Sequence, residues 1–316
     1  MEHRTAEVLD RSAGVLLGCS VGDALGAGYE FNGPCDPDTV TMLPGSLTGR
    51  PAGEWTDDTE MAIAIALVAA EGADLQTPSA LEAIGEKFLE WFEDGPDDIG
   101  NQTASVLAGA DGPDDLARSA RSFTASHPRS SAANGSLMRT AVVALATLDD
   151  ADAAAEAARA VSALTHPDPR CTEACVLWTL AVRHAVLTGT LDLRSGLSMV
   201  DDDVADLFSE AIDAAEHGSA RDFATNQYVV SSLQASWFSV VATRTSDPAT
   251  HFERGIRQAV ALGNDTDTTA AITGALLGAV AGASGIRADW TANLGGWPRG
   301  IDGAGLVDLA HRIVQS

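Results

Sequence analysis

The sequence predicts an all-α fold built as one compact domain. Apolar residues recur at helical spacing along most of the 316 residues, and no segment alternates apolar and polar residues as a half-buried strand does. Short breaks rich in Pro, Gly and Asp lie at 32–53, 94–101, 111–115, 166–170 and 295–303. None of them is a long low-complexity linker, and no internal repeat is visible. We therefore expect residues 1–316 to form a single domain.

Six segments carry the clearest helical spacing. In chain order they are 6–25, 58–70, 79–94, 151–164, 172–189 and 267–282. The first and the last of these regions contain a glycine at every fourth residue, namely Gly14, Gly18, Gly22 and Gly26, and Gly274, Gly278 and Gly282. Each glycine inside a helix costs roughly 1 kcal/mol of helix propensity. We predict that the two glycine stripes face each other and allow their helices to pack closely.

Composition and charge exclude several classes of partner. The 45 acidic and 19 basic residues give a formal net charge of −26, which disfavours binding to nucleic acid or to an anionic membrane surface. The N-terminus has no signal-peptide pattern, and the longest apolar run, 270–283, is too short to span a bilayer. The four cysteines form no C-x-x-C pair, which favours free thiols in the core. We expect a cytoplasmic monomer without membrane contact.

The segment GEWTDDTEM, residues 53–61, places four acids directly before the apolar run AIAIALVAA. One explanation is a helix N-terminus, because Asp57 as N-cap and Glu60 three residues later resemble a capping box. Acids in a first helical turn also suit the helix dipole. The adjacent carboxylates of Asp57 and Asp58 would nevertheless repel each other unless a positive charge lies between them.

A second segment, GNDTDTTAAITGALLGA at residues 263–279, repeats this design. Its residues 265–268 mirror residues 56–59, and an apolar helix follows again. If the two helix N-termini converge, four carboxylates meet, and two divalent cations would balance their charge. Carboxylate and hydroxyl oxygens suit Mg²⁺, Mn²⁺ or Ca²⁺ rather than zinc. The two segments therefore predict a binuclear metal site, beside which helix N-termini favour an anionic substrate.

With these motifs, the sequence resembles the ADP-ribosylglycohydrolase family, typified by dinitrogenase reductase-activating glycohydrolase and the ADP-ribosylhydrolases. The matching stretches keep the family's order: GVLLGCSVGDALGAGYEF (14–31), GEWTDDTEM (53–61), DIGNQT (98–103), NGSLMR (134–139), LTHPDP (164–169) and ALGNDTDTTAAITGALLGA (261–279). The paired acidic motifs are the specific part. The resemblance covers nearly the whole chain. It implies an orthogonal multi-helix domain of this family's type, with a centre of two Mg²⁺ or Mn²⁺ ions.

The resemblance also implies roles for individual residues. It assigns the metal ligands to Thr56, Asp57, Asp58, Asp265, Asp267 and Thr268. It assigns proton transfer to Glu30 or Asp98, of which either could be the general acid/base. It assigns substrate binding to Gly100, Asn101, Ser131, Asn134, Gly135, Ser136, Met138, His166, Tyr228 and Gly263. Backbone N–H groups at 134–136 would cradle a diphosphate, His166 would lie near the ribose and phosphates, and Tyr228 would stack on adenine.

Each of these residues has a structural alternative. Glu30 could be a surface acid, Asp98 an N-cap, His166 an inert loop residue and Tyr228 a core residue. We expect Arg139 to pair with a carboxylate rather than with a ligand. One departure from the family is visible, because its usual Gly-Gly before the second acidic stretch is Gly263-Asn264 here. A side chain at 264 could narrow the approach to the metals, but it removes no ligand.

The implied reaction is hydrolysis at C1″ of the distal ribose in an ADP-ribosylated protein or small molecule, with ADP-ribose as product. ADP-ribosyl-arginine is the first expected substrate and ADP-ribosyl-serine the second. Two alternatives stay open: a binuclear-metal nucleotide phosphohydrolase, and a non-catalytic ADP-ribose-binding or crystallin-like member. Suitable residues occupy all six ligand positions, which argues against a protein that has lost its activity.

Overall fold

The structure is a computed structural model that describes residues 4–316. In this range the chain forms α-helices and short 3₁₀ helices, with isolated β-bridges but no β-strand. The α-helices are α1 (Ala6–Gly26), α2 (Asp57–Ala69), α3 (Pro78–Glu93), α4 (Asn101–Ala108), α5 (Leu116–Ser126), α6 (Leu137–Thr140), α7 (Val143–Ala146), α8 (Ala151–Ala163), α9 (Pro169–Thr188), α10 (Asp202–His217), α11 (Val229–Ala242), α12 (Pro248–Ala261), α13 (Thr266–Ala281), α14 (Ala288–Thr291) and α15 (Gly303–Gln315). The 3₁₀ helices are Pro37–Thr39, Pro113–Asp115, Arg194–Met199, Ala220–Phe223 and Ala283–Gly285.

The all-α prediction is confirmed, and so are the six predicted helices, which correspond to α1, α2, α3, α8, α9 and α13. The helices α2 and α13 are buried on all sides, since almost every residue of each is shielded from solvent. Helices that are apolar all round lie in the interior of a protein. One continuous hydrophobic core extends from Ala13 near the N-terminus to Val314 near the C-terminus.

The predicted contact between the two glycine stripes is also confirmed. A Cβ atom at Gly14 would overlap the backbone of Gly278, and one at Gly18 would overlap the backbone of Gly274. Further along, Gly22 lies against Ala270. Because residue numbers rise along α1 while their partners fall along α13, the two helices run antiparallel. The C-terminus of α1 therefore meets the N-terminus of α13, where the Thr266 hydroxyl donates to the Gly26 carbonyl oxygen over 2.8 Å.

The four cysteines follow the sequence-based expectation in part. Cys19, Cys171 and Cys175 are buried free thiols in the core, whereas Cys35 is only half-buried in the loop after α1. None of the helices described between residues 4 and 316 combines the length and the apolar character that crossing a membrane requires.

We predict that Gly18→Ala lowers the free energy of unfolding, measured by urea denaturation. Replacing glycine by alanine gains about 1 kcal/mol of helix propensity. The added methyl group would overlap a backbone carbonyl of α13 that cannot move alone, and such overpacking costs about 1–3 kcal/mol or more. Gly33→Ala is the control, since a Cβ atom there has nothing within 4 Å. Equal stability of the two variants would contradict the close helix contact.

Candidate active site

The two acidic segments meet at the junction of α1 and α13. The helix α2 begins at Asp57 and α13 at Thr266, and the side chains of Asp57, Asp58, Asp265 and Asp267 are all buried. Both helix starts are tied to the end of α1, since the Thr56 hydroxyl donates to Asp23 and the Thr266 hydroxyl donates to the Gly26 carbonyl oxygen. The convergence expected from the sequence is therefore present. The roles of these residues, and of Thr56 and Thr268, as metal ligands stay predictions.

Two further carboxyl groups reach this junction from loops. Glu30, Asp98 and Asp267 each have a carboxyl oxygen within 4.8 Å of a carboxyl oxygen of the other two. Glu30 is only 8% exposed, so it is not a surface acid. Asp98 is half-buried and does not cap α4, whose N-cap is Gly100. The structural alternatives for both residues are therefore wrong, although their catalytic role stays a prediction.

The backbone of Asn264 holds the loop that carries Glu30. The Phe31 N–H donates to the Asn264 carbonyl oxygen over 2.6 Å, and the Asn264 N–H donates to the Asn32 carbonyl oxygen over 2.9 Å. Asn264 adopts a left-handed conformation with φ at 66°, which asparagine tolerates better than most residues. The replacement of the family's usual glycine is thus compatible with the backbone at this position.

Asp23 was missed by the sequence reasoning and holds the N-terminus of α2. Its fully buried carboxylate accepts hydrogen bonds from the backbone N–H of Thr56 and Thr59, both over 3.0 Å, and from their hydroxyl groups over 2.7 and 2.6 Å. The predicted capping box is wrong, since Thr56 is the N-cap and makes no side-chain capping bond. Because Asp23 caps α2 from α1, the carboxylates of Asp57 and Asp58 remain free for another partner.

Glu60, the other member of the predicted capping box, is bound elsewhere. Its carboxylate accepts from Arg50 Nη1 over 2.8 Å and from Trp91 Nε1 over 2.6 Å. The side chains of Glu60 and Arg50 are 1% and 10% exposed, so this is a buried ion pair. Glu60 is therefore neutralised within the protein, unlike the acids at the start of α2.

The cluster concentrates negative charge in a buried space. Burial, followed by the neighbouring Asp98 carboxylate, raises the pKa of Glu30 to about 8. Burial and neighbouring carboxylates raise the pKa of Asp57, Asp58 and Asp267 well above their usual range. Asp58 Oδ1 is buried and has no hydrogen-bond partner. An unpartnered carboxylate oxygen among like charges is the donor set that a hard divalent cation takes.

Two asparagines orient Asp265. Asn134 Nδ2 donates to Asp265 Oδ2 over 2.8 Å, and the Asp265 N–H donates to Asn226 Oδ1 over 3.1 Å. Asn226 Nδ2 in turn donates to the Gly263 carbonyl oxygen over 3.1 Å. Asn134 and Gly263, predicted to bind substrate, thus also support a candidate metal ligand. Asn226 is fully buried and was missed, because it lies in a loop without a recognisable motif.

The stretch predicted to cradle a diphosphate lies beside His166. A Cβ atom at Gly135 would lie 3.2 Å from His166 Nε2 and 3.3 Å from Thr103 Oγ1, so glycine keeps this space open. Thr103 was missed by the sequence reasoning. Ser131 is buried with an unpartnered hydroxyl group, whereas the Ser136 hydroxyl accepts from Ser162 over 2.8 Å. The helix that follows, α6, has only four residues.

Hydrogen bonding favours one tautomer of His166. Arg139 Nη2 donates to the Thr165 hydroxyl over 2.5 Å, and that hydroxyl lies 2.7 Å from His166 Nδ1. We assign the hydroxyl hydrogen to Nδ1, since the hydrogen bonds of the described residues give it no other acceptor, and this assignment places the proton on Nε2, the nitrogen that faces Gly135. Burial and then the Arg139 charge lower the pKa of His166 well below its usual range. His166 is accordingly a neutral N–H donor beside Gly135.

Arg139 differs from its prediction. Its buried guanidinium also donates to Met61 Sδ and lies 4.5 Å from the centre of the Phe88 ring, and it forms no ion pair with any residue of the described part of the chain. Burial lowers its pKa to about 10. The expected carboxylate partner is thus replaced by a hydroxyl, a sulfur and an aromatic ring.

The remaining predicted substrate residues differ in exposure. Tyr228 is 39% exposed and lies opposite Ala133 in an isolated antiparallel bridge, so it is not a core residue. Gly100 and Asn101 are exposed at the start of α4, close in sequence to Asp98. Met138 is buried in the hydrophobic core. Substrate binding by these residues stays a prediction.

Comparison with known proteins gives the family. The profile described as ADP-ribosylglycohydrolase matches residues 4–316. The chain belongs to the ADP-ribosylglycohydrolase family. A solved structure described as an ADP-ribosylglycohydrolase-related protein complex is similar, with a TM-score of 0.71 at 25% sequence identity, over 98% of this chain and 99% of that one.

Curated relatives in this family carry related names. The chain is 30% identical over 296 residues to ADP-ribosylarginine hydrolase Tri1 of Pseudomonas putida, covering 90% of this chain and 74% of the relative. It is 29% identical over 295 residues to ADP-ribosyl-(dinitrogen reductase) glycohydrolase of Rhodospirillum rubrum, covering 91% of each. It is 26% identical to human ADP-ribosylhydrolase ARH3, covering 98% of this chain and 95% of the relative. These names support a glycohydrolase activity.

We predict that Asp23→Ala lowers the free energy of unfolding by about 2–3 kcal/mol, because it removes the cap of α2 and leaves two buried N–H groups unpaired. Asp302→Ala is the control, since Asp302 caps the exposed start of α15 with a single bond to the Gly305 N–H. Its loss should be about 1 kcal/mol. Urea denaturation of both variants measures these free energies of unfolding. Equal decreases in the two variants would show that Asp23 is an ordinary cap.

Proposed function

We propose that this chain is a metal-dependent hydrolase that cleaves the C1″ glycosidic bond of ADP-ribosylated substrates and releases ADP-ribose. The observation that carries the proposal is the convergence of two acidic helix N-termini with the carboxyl groups of Glu30 and Asp98. ADP-ribosyl-arginine is the first expected substrate and ADP-ribosyl-serine the second. The first is supported by the name of the 30% identical relative, ADP-ribosylarginine hydrolase.

Six side chains would hold two divalent cations, Mg²⁺ or Mn²⁺: Thr56, Asp57, Asp58, Asp265, Asp267 and Thr268. All of them offer oxygen atoms, and all are buried. The Thr56 hydroxyl directs its hydrogen to Asp23 Oδ1, 2.7 Å away, so that a lone pair stays available to a cation. Such cations supply Lewis acidity toward sugar hydroxyls and water.

Glu30 and Asp98 would handle the proton that the reaction transfers. Their carboxyl groups have oxygens within 4.8 Å of each other, and two acids this close favour holding one proton between them because their negative charges repel. The pair can donate this proton to the leaving nitrogen or oxygen of the substrate, or accept one from the attacking water. Their position in a largely buried site also keeps bulk water away from the bond that breaks.

Polar groups next to the acids would bind the diphosphate and the base. The carboxylates repel a diphosphate, whereas the N–H groups of residues 134–136 and the neutral His166 Nε2–H can donate to it. Tyr228 lies beside this stretch and offers an exposed ring to adenine. The substrate would then place its distal ribose at the acids and its adenosine at Tyr228.

We predict that Mg²⁺ or Mn²⁺ raises the melting temperature above its value in EDTA by about 4 °C. Binding at 100 times the dissociation constant stabilises a protein by about 2.7 kcal/mol, and the unfolding entropy of about 2.1 cal/mol/K per residue gives a shift of about 1.5 °C per kcal/mol for 316 residues. Asp58→Asn should abolish the shift and should not lower the melting temperature in EDTA, since it removes a buried repelling charge. The exposed Asp114→Asn is the control and should keep the shift. Differential scanning fluorimetry that detects no shift for the unaltered protein would contradict the metal site.

We predict release of free ADP-ribose from arginine-linked ADP-ribosylated peptides in the presence of Mg²⁺ or Mn²⁺, and none in EDTA. Asp58→Asn should reduce the rate by at least about 100-fold, while Asp114→Asn should not change it. Serine-linked peptides are assayed in parallel by chromatography of the products. Release of phosphate instead of ADP-ribose would indicate a phosphohydrolase. Tight ADP-ribose binding without release from either linkage would indicate a binding protein.

A further inference from the structure

Tyr228 combines a fixed backbone with an exposed side chain. Its backbone begins α11 and is tied to the stretch beside His166, since the Val229 N–H donates to the Ala132 carbonyl oxygen over 3.0 Å. The ring itself is on the surface, with 39% of the residue exposed. An exposed ring that rotates freely loses conformational entropy when a ligand stacks on it, which weakens binding. A contact that holds the ring in advance would remove that loss.

Arg170 makes this contact. Its Nη1 donates to the Tyr228 hydroxyl oxygen over 3.0 Å, and its guanidinium carbon lies 5.5 Å from the centre of the ring. Both distances are within the ranges of a hydrogen bond and a cation–π interaction. The ring is thereby restrained at its hydroxyl end, while part of its surface remains open to solvent.

Arg170 is itself immobilised. Its Nε donates to Asp168 Oδ1 over 2.7 Å and its Nη2 donates to Asp168 Oδ2 over 2.6 Å, which is a two-bonded fork. Asp168 is the N-cap of α9, and its side chain is only 10% exposed. The next residue, Cys171, donates through its thiol to the Ala133 carbonyl oxygen over 3.3 Å, which joins α9 to the same stretch. All three guanidinium nitrogens thus bind groups of the protein itself.

We propose that Arg170 is a positioning residue that fixes the Tyr228 ring as a platform for the base of the bound nucleotide. The inference rests on the proposed function, because the ligand is the adenosine end of ADP-ribose. Arg170 acts through Tyr228 and not on a phosphate group, since Asp168 and Tyr228 hold three of its five N–H donors and fix the direction of the guanidinium. Its removal should therefore affect ligands that carry a base and spare ligands that do not.

The test measures dissociation constants of ADP-ribose and of ribose 5-phosphate by isothermal titration calorimetry, with Mg²⁺ present throughout. The variants are Arg170→Gln, Tyr228→Phe, which keeps the ring and loses the hydroxyl, and the double variant. Arg194→Gln is the control, an exposed arginine paired with Asp213 and Glu216. We expect each single variant to weaken ADP-ribose binding by about three- to tenfold. The double variant should be no weaker than the weaker single one, because both changes break the same bond. Ribose 5-phosphate binding should not change.

Three results would overturn the inference without contradicting the proposed function. Unchanged ADP-ribose binding by Arg170→Gln would show that the ring needs no support. Equal weakening of both ligands would show a phosphate contact or a general structural role. Additive losses in the double variant would show that the two residues act separately. Failure of the proposed reaction gives a different result. The unaltered protein would then bind ADP-ribose but release none from ADP-ribosylated peptides. Absence of ADP-ribose binding by the unaltered protein would overturn both.

Discussion

The direct backbone contact of α1 with α13 determines where the rest of the molecule lies. Ordinary side chains keep packed helix axes about 8–10 Å apart, whereas the glycine stripes bring these two helices into contact at Gly14, Gly18 and their partners. The antiparallel arrangement places residue 26 beside residue 266, which are 240 positions apart in the chain. The acidic junction therefore forms only when both ends of the chain have folded together, and its geometry depends on the close packing of glycines in these two helices.

Charge is the second constraint, because the junction gathers buried carboxylates without matching arginines. Arg50 is bound to Glu60, and Arg139 is directed to Thr165 and Met61. Burying unpaired charges costs stability. These acids therefore lower the stability of the fold when nothing positive is bound to them. The bonds from Thr56 and Thr59 to Asp23 offset part of this cost, since they secure the start of α2 without using its own acids. Such a conflict between local stability and a fixed arrangement is expected at a functional site.

The sequence was sufficient to predict those structural features that show a repeated pattern of residues. Helical spacing predicted the central helices, the glycine period predicted the contact of α1 with α13, and the paired DTDT and TDDT segments predicted the junction. It was insufficient where partners are decided by tertiary structure. The capping box was wrong because a distant Asp23 takes the place of the local cap, and Asn226 has no motif to mark it. A lone acid within the buried stretch SVGDALG is the one signal that would have identified Asp23.

The distribution of polar groups also constrains how a ligand of the proposed class lies. The buried carboxylates that lack an arginine partner lie at the junction of α1, α2 and α13, whereas the stretch from Ser131 to Ser136 offers N–H and hydroxyl groups beside His166. A diphosphate is repelled from the first region and accepted by the second. The network from Arg139 through Thr165 favours a proton on the His166 nitrogen that faces this stretch. In the proposed function, Arg139 thus orients a histidine through Thr165 and Arg170 orients a tyrosine, and neither arginine is paired with the carboxylates that would hold the metals.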